Sequence, residues 1–405
     1  MSDHQLNKYG NIMFVFCGGG CKAVIQAVAA AELVNAGLIP THIISSSAGT
    51  CNALAFVENP GVVGAAKALR IWEEHITSPE AIYDVHPFVR EKLARLLGVV
   101  PQATQGWGTS GSILHDLRRA IKFMPLVMSF GLRMPLRVAG HTVSFVFRLM
   151  DAFASQHKSF RRLMQAPEIQ EAFDEMDKYF EFRRMKAFLD PFPLLTRLGE
   201  QIDLQKVLAS SIVWHILAER YEDGVTVVFS NKDSDLAMEG SEDARHRKAK
   251  YDLFFSRIRA SMALYPLFEM VELDGYRYLD ADLANPFPVE EAFSVGCDTI
   301  FMFLTVPRKS VRVEPHPLRD LVELNFRLRL NERYIHHRVK EAQAKAKEKG
   351  VNLFVIRPDE VPSGLGLLEI DGKVIEFVKN HERQRMSEYL ASLDAHNLRF
   401  APPIL

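Results

Sequence analysis

The first apolar run of the chain covers residues 12–17, Ile-Met-Phe-Val-Phe-Cys. It is short and apolar on both faces, which predicts a strand buried on both sides. Gly18, Gly19 and Gly20 follow. Residues 22–36 are then apolar almost all round (Val24, Ile25, Ala27, Val28, Leu33, Val34), predicting a buried helix that Gly37 ends, with Pro40 beyond. The pair Ile43-Ile44 leads through Ser45-Ser46-Ser47 into helical spacing from Ala48 to about Glu58. That pattern predicts a strand, a tight turn and a helix. Helical spacing continues to about residue 99, and the whole stretch 75–190 lacks β-type runs, predicting a helical insertion. From Asp190-Pro191-Phe192-Pro193 the mixed pattern returns. Strands are expected at 211–217 and 225–229 with a turn at Asp223-Gly224, and a helix over 244–264. A hairpin at Asp274-Gly275 precedes a strand ending near Asp280. A strand over 297–304, a long charged helix over about 317–349, a last strand over 352–358 and a helix over about 372–392 complete the chain. Strands alternating with helices predict an α/β fold with a mostly parallel sheet and functional groups at the strands' carboxyl ends.

Composition narrows the classes. The chain has 405 residues, 48% of them hydrophobic, ample for a large core in one or two domains. The net charge of -1 gives no sign of a nucleic-acid partner. The four cysteines, Cys17, Cys21, Cys51 and Cys297, fit no zinc spacing, and so few in a long chain suggest a reducing compartment, the cytoplasm. Met1 to Gly10 is polar and lacks the apolar centre of a signal peptide, so none is expected. No apolar run approaches the roughly 20 residues that span a bilayer.

Three stretches carry chemistry. Ser47 sits at the turn between strand and helix, inside Ser45-Ser46-Ser47-Ala48-Gly49, a degraded G-x-S-x-G in which Ser45 replaces the first glycine. Such a turn holds a hydroxyl proud of the backbone, at the positive end of the next helix. The loop Gly18-Gly19-Gly20-Cys21-Lys22-Ala23 leaves backbone N–H groups free to converge on an anion, a phosphate or the oxyanion of an acyl-transfer intermediate. Its Gly18-x-Gly20-x-x-Ala23 also fits the dinucleotide fingerprint, but the acid expected at the end of the second strand is missing, since that strand ends Ile43-Ile44-Ser45-Ser46. An oxyanion loop beside a serine nucleophile is the better reading. The third stretch is Tyr278-Leu279-Asp280-Ala281-Asp282-Leu283-Ala284-Asn285-Pro286. A carboxylate at Asp280 can serve as general base on a serine directly, or can bond its own turn backbone.

Together these stretches, in this order and spacing, resemble the patatin-like phospholipases. So does Arg259-Ala260-Ser261-Met262-Ala263-Leu264-Tyr265-Pro266, a segment of the kind that precedes the aspartate turn in that family. The resemblance spans roughly residues 10–60 and 185–375. It implies a three-layer α/β fold with a mostly parallel central sheet and a helical insertion. It also implies a lipid acyl hydrolase with Ser47 as nucleophile, Asp280 as its only catalytic partner and Gly18, Gly19 and Gly20 as oxyanion hole. Lys22 takes the place of the family's loop cation, and Gly49 supports the turn. No metal or organic cofactor is required. Three positions depart from the family: Ala23 ends the loop, Ser45 opens the elbow, and Asp280-Ala281-Asp282 stands where the family has Asp-Gly-Gly or Asp-Gly-Ala. Ala281 is expected to cost about 1 kcal/mol if the turn needs a positive φ there, and Asp282 is a spare carboxylate.

The domain expected is an acyl hydrolase over 8–375, with the insertion at 75–190 inside it and a C-terminal helix and tail over 376–405. Residues 112–165 carry nine Lys or Arg against two acids, and enclose two uncharged, mostly apolar runs at 123–132 and 138–147. The runs suit an interfacial helix, so Arg118, Arg119 and Lys122 are expected to face an anionic membrane as part of a lid; a structural cap with a basic rim is the plainer reading. The partners expected are a phospholipid or other lipid ester and an anionic membrane surface, and no nucleic acid. Two other functions fit the residues less well. One is a Ser-His-Asp esterase, whose histidine would have to come from His381 or His396. The other is a lipid-binding pseudoenzyme, suggested by the three departures.

Overall fold

The computed structural model of the chain describes residues 9–89, 91, 184, 186–237, 244–308, 332–362 and 364–395. Its contacts divide the chain into two units. One comprises residues 1–84, 189–312 and 330–405; the other comprises 85–188 and 313–329 and falls almost wholly outside the described residues. Most of the expected insertion lies there, including Arg118, Arg119 and Lys122.

Within the first unit, β1 (Ile12–Phe16) leads through a short 3-10 turn (Gly20–Lys22) into α1 (Ala23–Asn35). Then come β2 (His42–Ser45), α2 (Gly49–Glu58) and α3 (Val62–Arg70). Two-residue strands β3 (Asp84–Val85) and β4 (Leu189–Asp190) fall inside the stretch expected to lack strands, too short to register as β-type runs. Next are α4 (Phe192–Gln201), α5 (Leu204–Ala209), β5 (Val213–Arg220), β6 (Val225–Ser230), α6 (Ala244–Ser261), β7 (Val271–Leu273) and β8 (Tyr276–Asp280). The chain closes with α7 (Val289–Val295), β9 (Thr299–Phe303), α8 (Glu332–Lys349), β10 (Asn352–Ile356) and α9 (Gly372–Ala395). Helix α6 stops three residues short of the expected end: the next N–H groups turn to carbonyls three residues back, Met262 N–H to Arg259 O and Ala263 N–H to Ala260 O.

The sheet runs β10-β9-β1-β2-β5-β8-β7, with β6 beside β5. Strands β10, β9, β1, β2 and β5 are parallel, as alternating strands and helices predict. The hairpin strands are antiparallel, and one detail of their pairing matters for function. Strand β6 occupies one edge of β5 over His215–Arg220. On the other edge, β2 pairs up to Ser45↔Ile216, and β8 enters from the opposite direction down to Asp280↔Ala218. The carboxyl ends of β2 and β8 therefore meet end to end along β5. Asp274 and Gly275, at φ +52° and +79°, make the tight hairpin turn that aims β8 there.

Side chains alternate between the two faces of the central strands, and both faces are covered. On one, Met13, Val15, Ile44, Leu217, Ile300, Met302, Leu353 and Val355 pack with residues of α7 and α8. On the other, Phe14, Phe16, Phe301 and Phe303 stack among themselves and against Phe56 of α2. Helix α1 is apolar all round because α3 and α9 also pack against it. That enclosure fixes the start of α1, and with it the glycine loop.

Candidate active site

Strand β2 ends at Ser45, and the chain reverses through Ser46 and Ser47 into α2. Ser47 has φ +51°. A non-glycine residue holds that conformation only where its surroundings impose it. Here Ser46 N–H donates to Phe16 O at 3.1 Å, and Ser47 N–H donates to both Ser261 O (3.0 Å) and Ser261 Oγ (3.2 Å). Gly49 is needed for a different reason: a Cβ there would lie 2.4 Å from Phe16 O. Ser45, in place of the family's glycine, has work of its own. It is fully buried, its Oγ accepts from Trp214 Nε1 at 2.9 Å, and it meets Thr50 Oγ1 at 3.2 Å, which in turn meets Ser261 Oγ at 3.3 Å. A buried chain of hydroxyls thus ties the elbow to β5 and to the end of α6.

Asp280 closes β8 and is completely buried. Its N–H donates to Ala263 O at 3.0 Å. The segment Ser261–Ala263 therefore grips Ser47 with one residue and Asp280 two residues later. Asp280 Oδ1 accepts the Asp282 N–H at 2.9 Å, so this aspartate does cap its own turn. Its other oxygen makes no hydrogen bond of ordinary length among the described residues, and the Ser47 hydroxyl acts on the carboxyl to favour its charged form. Capping thus occupies one oxygen and leaves the other without a hydrogen bond. Ala281 opens a 3-10 turn (Ala281–Leu283), and among the described residues Ser47 and Asp274 are the non-glycine residues at positive φ. The expected strain at Ala281 is absent. Ala23, at φ -64°, needs no glycine either.

In the glycine loop, Gly19 and Gly20 have φ +147° and +62°. A Cβ on Gly20 would fall 1.8 Å from Leu367 O, and one on Gly19 2.0 Å from Thr305 Oγ1, so only glycine fits either position. Buried amides brace the loop from below: Gln26 Nε2 donates to Cys17 O (2.6 Å) and Phe303 O (3.0 Å), and Asn52 Nδ2 to Ala23 O (2.8 Å). Among the described residues, the Gly19 and Gly20 N–H groups have no protein acceptor, whereas Gly18 N–H donates to Asp282 Oδ1 at 3.0 Å. The spare carboxylate of the sequence is thus part of the site.

Electrostatically, the two aspartates work against each other. Burial pushes the Asp280 carboxyl up to about 8, and the charge of Asp282 adds to the shift, with Glu219 a smaller contributor; the Ser47 hydroxyl and the Asp282 N–H oppose it. Burial likewise raises Asp282, to about 6, against the Gly18 N–H, the Lys22 cation and the Ser46 hydroxyl. Lys22 thus stands within electrostatic reach of the loop. A carboxylate raised in this way is a stronger base than an ordinary one.

The structure brings together Ser47, Asp280, Gly18, Gly19, Gly20, Lys22 and Gly49. Ser261 and the placement of Asp282 escaped sequence reasoning; the one signal was the segment 259–266 ahead of the aspartate turn. Among the described residues no histidine bonds Ser47 or Asp280. His381 lies exposed on α9, its ring on Phe377, and His396 is outside the described residues. All four cysteines are free and buried, and burial holds the Cys17, Cys21 and Cys51 thiols well above their usual range. Among the described residues no three His, Cys, Asp or Glu side chains cluster as metal ligands, and no helix is long and apolar enough to cross a membrane.

The sequence profile of the patatin-like phospholipases matches residues 14–293. No curated protein is significantly similar in sequence. Among solved structures, the crystal structure of VipD from Legionella pneumophila aligns with 94% of this chain and 67% of its own, at 9% identity and a TM-score of 0.33.

Proposed function

This chain belongs to the patatin-like phospholipase family, and from that premise and the arrangement of its site we propose that it is a serine-dependent lipid acyl hydrolase. The observation that carries the proposal is the grip of Ser261–Ala263 on both partners: Ser47 held at φ +51° by Ser261, Asp280 held by Ala263. A strained serine and a buried carboxylate fixed by the same three residues are a nucleophile and base kept in register.

Asp280 takes the proton from Ser47 Oγ as that oxygen attacks the ester carbonyl carbon. The carbonyl π bond opens, and the negative charge passes to its oxygen. The Gly19 and Gly20 N–H groups at the start of α1 stabilise that oxyanion, helped by the helix dipole. When the carbonyl re-forms, the carbon–oxygen bond to the alcohol breaks, and Asp280 returns its proton to the leaving oxygen. Water then attacks the acyl-serine, again with Asp280 as base, releasing a fatty acid and free Ser47. The substrate is a lipid carrying a carboxylic ester, and an anionic membrane is the surface from which residues 112–165 would help draw it.

The experiment is labelling with a lipid-like fluorophosphonate followed by peptide mapping. The label should appear on Ser47, and Ser47→Ala should lose both label and ester hydrolysis while keeping its fold. Hydrolysis by Ser47→Ala at the wild-type rate would end the proposal. A pseudoenzyme would bind lipid and show neither label nor turnover.

A further inference from the structure

An oxyanion hole must be open to the substrate's oxygen, and one donor of this loop is already engaged. Gly18 N–H donates to Asp282 Oδ1 at 3.0 Å, while Gly19 and Gly20 N–H have no acceptor among the described residues. The contact is built into the site from several sides. Ser46 Oγ reaches the same Oδ1 at 3.5 Å, and Asp280 Oδ1 fixes the Asp282 N–H at 2.9 Å. A Cβ on Gly18 would fall 2.6 Å from Asp282 Cγ and 2.8 Å from Ser47 Cβ, so that glycine touches nucleophile and carboxylate alike. A carboxylate oxygen is the nearest likeness in a protein to the oxygen of a tetrahedral intermediate. Both are anionic, and both seek the same N–H.

We propose that Asp282 sets the rate of this site by occupying the Gly18 N–H with its own carboxylate, an internal stand-in for the oxyanion that withholds one donor from the substrate. The proposal rests on the acyl-hydrolase reading and assigns that site a regulating residue. Asp282 bonds to no reacting atom; it is a positioning residue that acts through Gly18. The residue as a whole is only partly buried, while its carboxyl is deep enough in the site for burial to raise it. Lys22 is the cation that steadies its charge in place.

The test compares the full chain with Asp282→Gly and Asp282→Asn at pH 9, where Asp280 is ionised with or without its neighbour's charge. The substrate is a soluble short-chain p-nitrophenyl ester, and the fluorophosphonate labelling rate of Ser47 is followed in parallel. Removing one oxyanion donor from a hydrolase costs about 10²–10³ in turnover, so freeing Gly18 in Asp282→Gly is expected to raise kcat about 100-fold. KM should hardly move, because the donor acts on the transition state. Asp282→Asn keeps an oxygen on Gly18 without the charge, and its kcat should fall between wild type and Asp282→Gly. The Gly18 amide resonance reports occupancy without catalysis and should shift in Asp282→Gly. An unchanged or lowered kcat in Asp282→Gly, with Ser47 still labelled, overturns this inference and leaves the hydrolase reading standing. If Asp282→Gly does not fold, Asp282→Asn decides: a kcat at or below wild type overturns the inference. Absence of label on Ser47 in every protein overturns both.

Discussion

Replacing Asp280 by Asn should remove turnover and raise stability together, and the size of the gain follows from the surroundings of the carboxyl. Asp280 is completely buried, one of its oxygens lacks a hydrogen bond of ordinary length, and Asp282 lies beside it. Its folded value is pushed up to about 8, against about 3.9 for an aspartate in an unfolded chain. Between those values the folded protein holds a proton that the unfolded chain has released. Stability therefore falls as pH rises through that window and levels off above it. At pH 7 about three units have been crossed at about 1.4 kcal/mol each, so ionisation of the unfolded chain has removed about 4 kcal/mol of stability. Asn has the same shape, still accepts the Asp282 N–H, and does not titrate. With an unfolding entropy of about 2.1 cal/mol/K per residue, 4 kcal/mol corresponds to a Tm shift of about 5 °C for a chain of this length. The assay is thermal unfolding of both proteins by circular dichroism from pH 4 to 9. The Tm gap should be near zero at pH 4, grow to pH 8 and then stay flat, while kcat of Asp280→Asn drops by about 10²–10⁴. A gap independent of pH, or an Asn variant less stable than wild type at pH 8, would refute the reasoning.

Three further outcomes are expected. Because only ionised Asp280 can take the serine proton, kcat/KM of the wild type on a soluble ester should rise with pH and level off above about 8; a profile already flat from pH 5 would exclude Asp280 as base. Gly49→Ala would press a methyl group to 2.4 Å from a backbone carbonyl, which should cost about 1–3 kcal/mol of stability and at least tenfold in kcat by moving the elbow, readable by chemical denaturation and ester hydrolysis. Reversing Arg118, Arg119 and Lys122 to Glu should weaken binding to anionic vesicles at low salt, at about 1 kcal/mol per charge removed, and leave a soluble ester's hydrolysis unchanged; equal losses on both substrates would point to a structural cap.

The two aspartates illustrate what can be read locally and what cannot. Asp280 was legible because a hairpin signal, a strand and a turn sit next to it in the chain. Asp282 was legible only as a second carboxylate, because its partner is Gly18, 264 positions away. Ser45 looked like a defect in a glycine motif; its hydroxyl is explained by Trp214, 169 positions on. Ala281 looked strained because the motif carried an assumption about φ, and the 3-10 turn needs none.

By itself the sequence determined much of the local geometry: the longer strands, the core of the main helices, and that Ser47 stands on a strand-to-helix turn with Gly49 beneath it. These follow from steric preferences and apolar periodicity, which act within a few residues. The tertiary structure alone decided that β8 runs antiparallel along β5 to meet the end of β2. It alone decided that Ser261 and Ala263 clamp Ser47 and Asp280, and that the Gly18 N–H is held by a carboxylate. Those outcomes depend on sheet order and on which buried polar groups find partners. Both are settled only when segments far apart in the chain close on one another, because the bonds that join Ser47 to Ser261, Asp280 to Ala263 and Gly18 to Asp282 have their two ends on different elements.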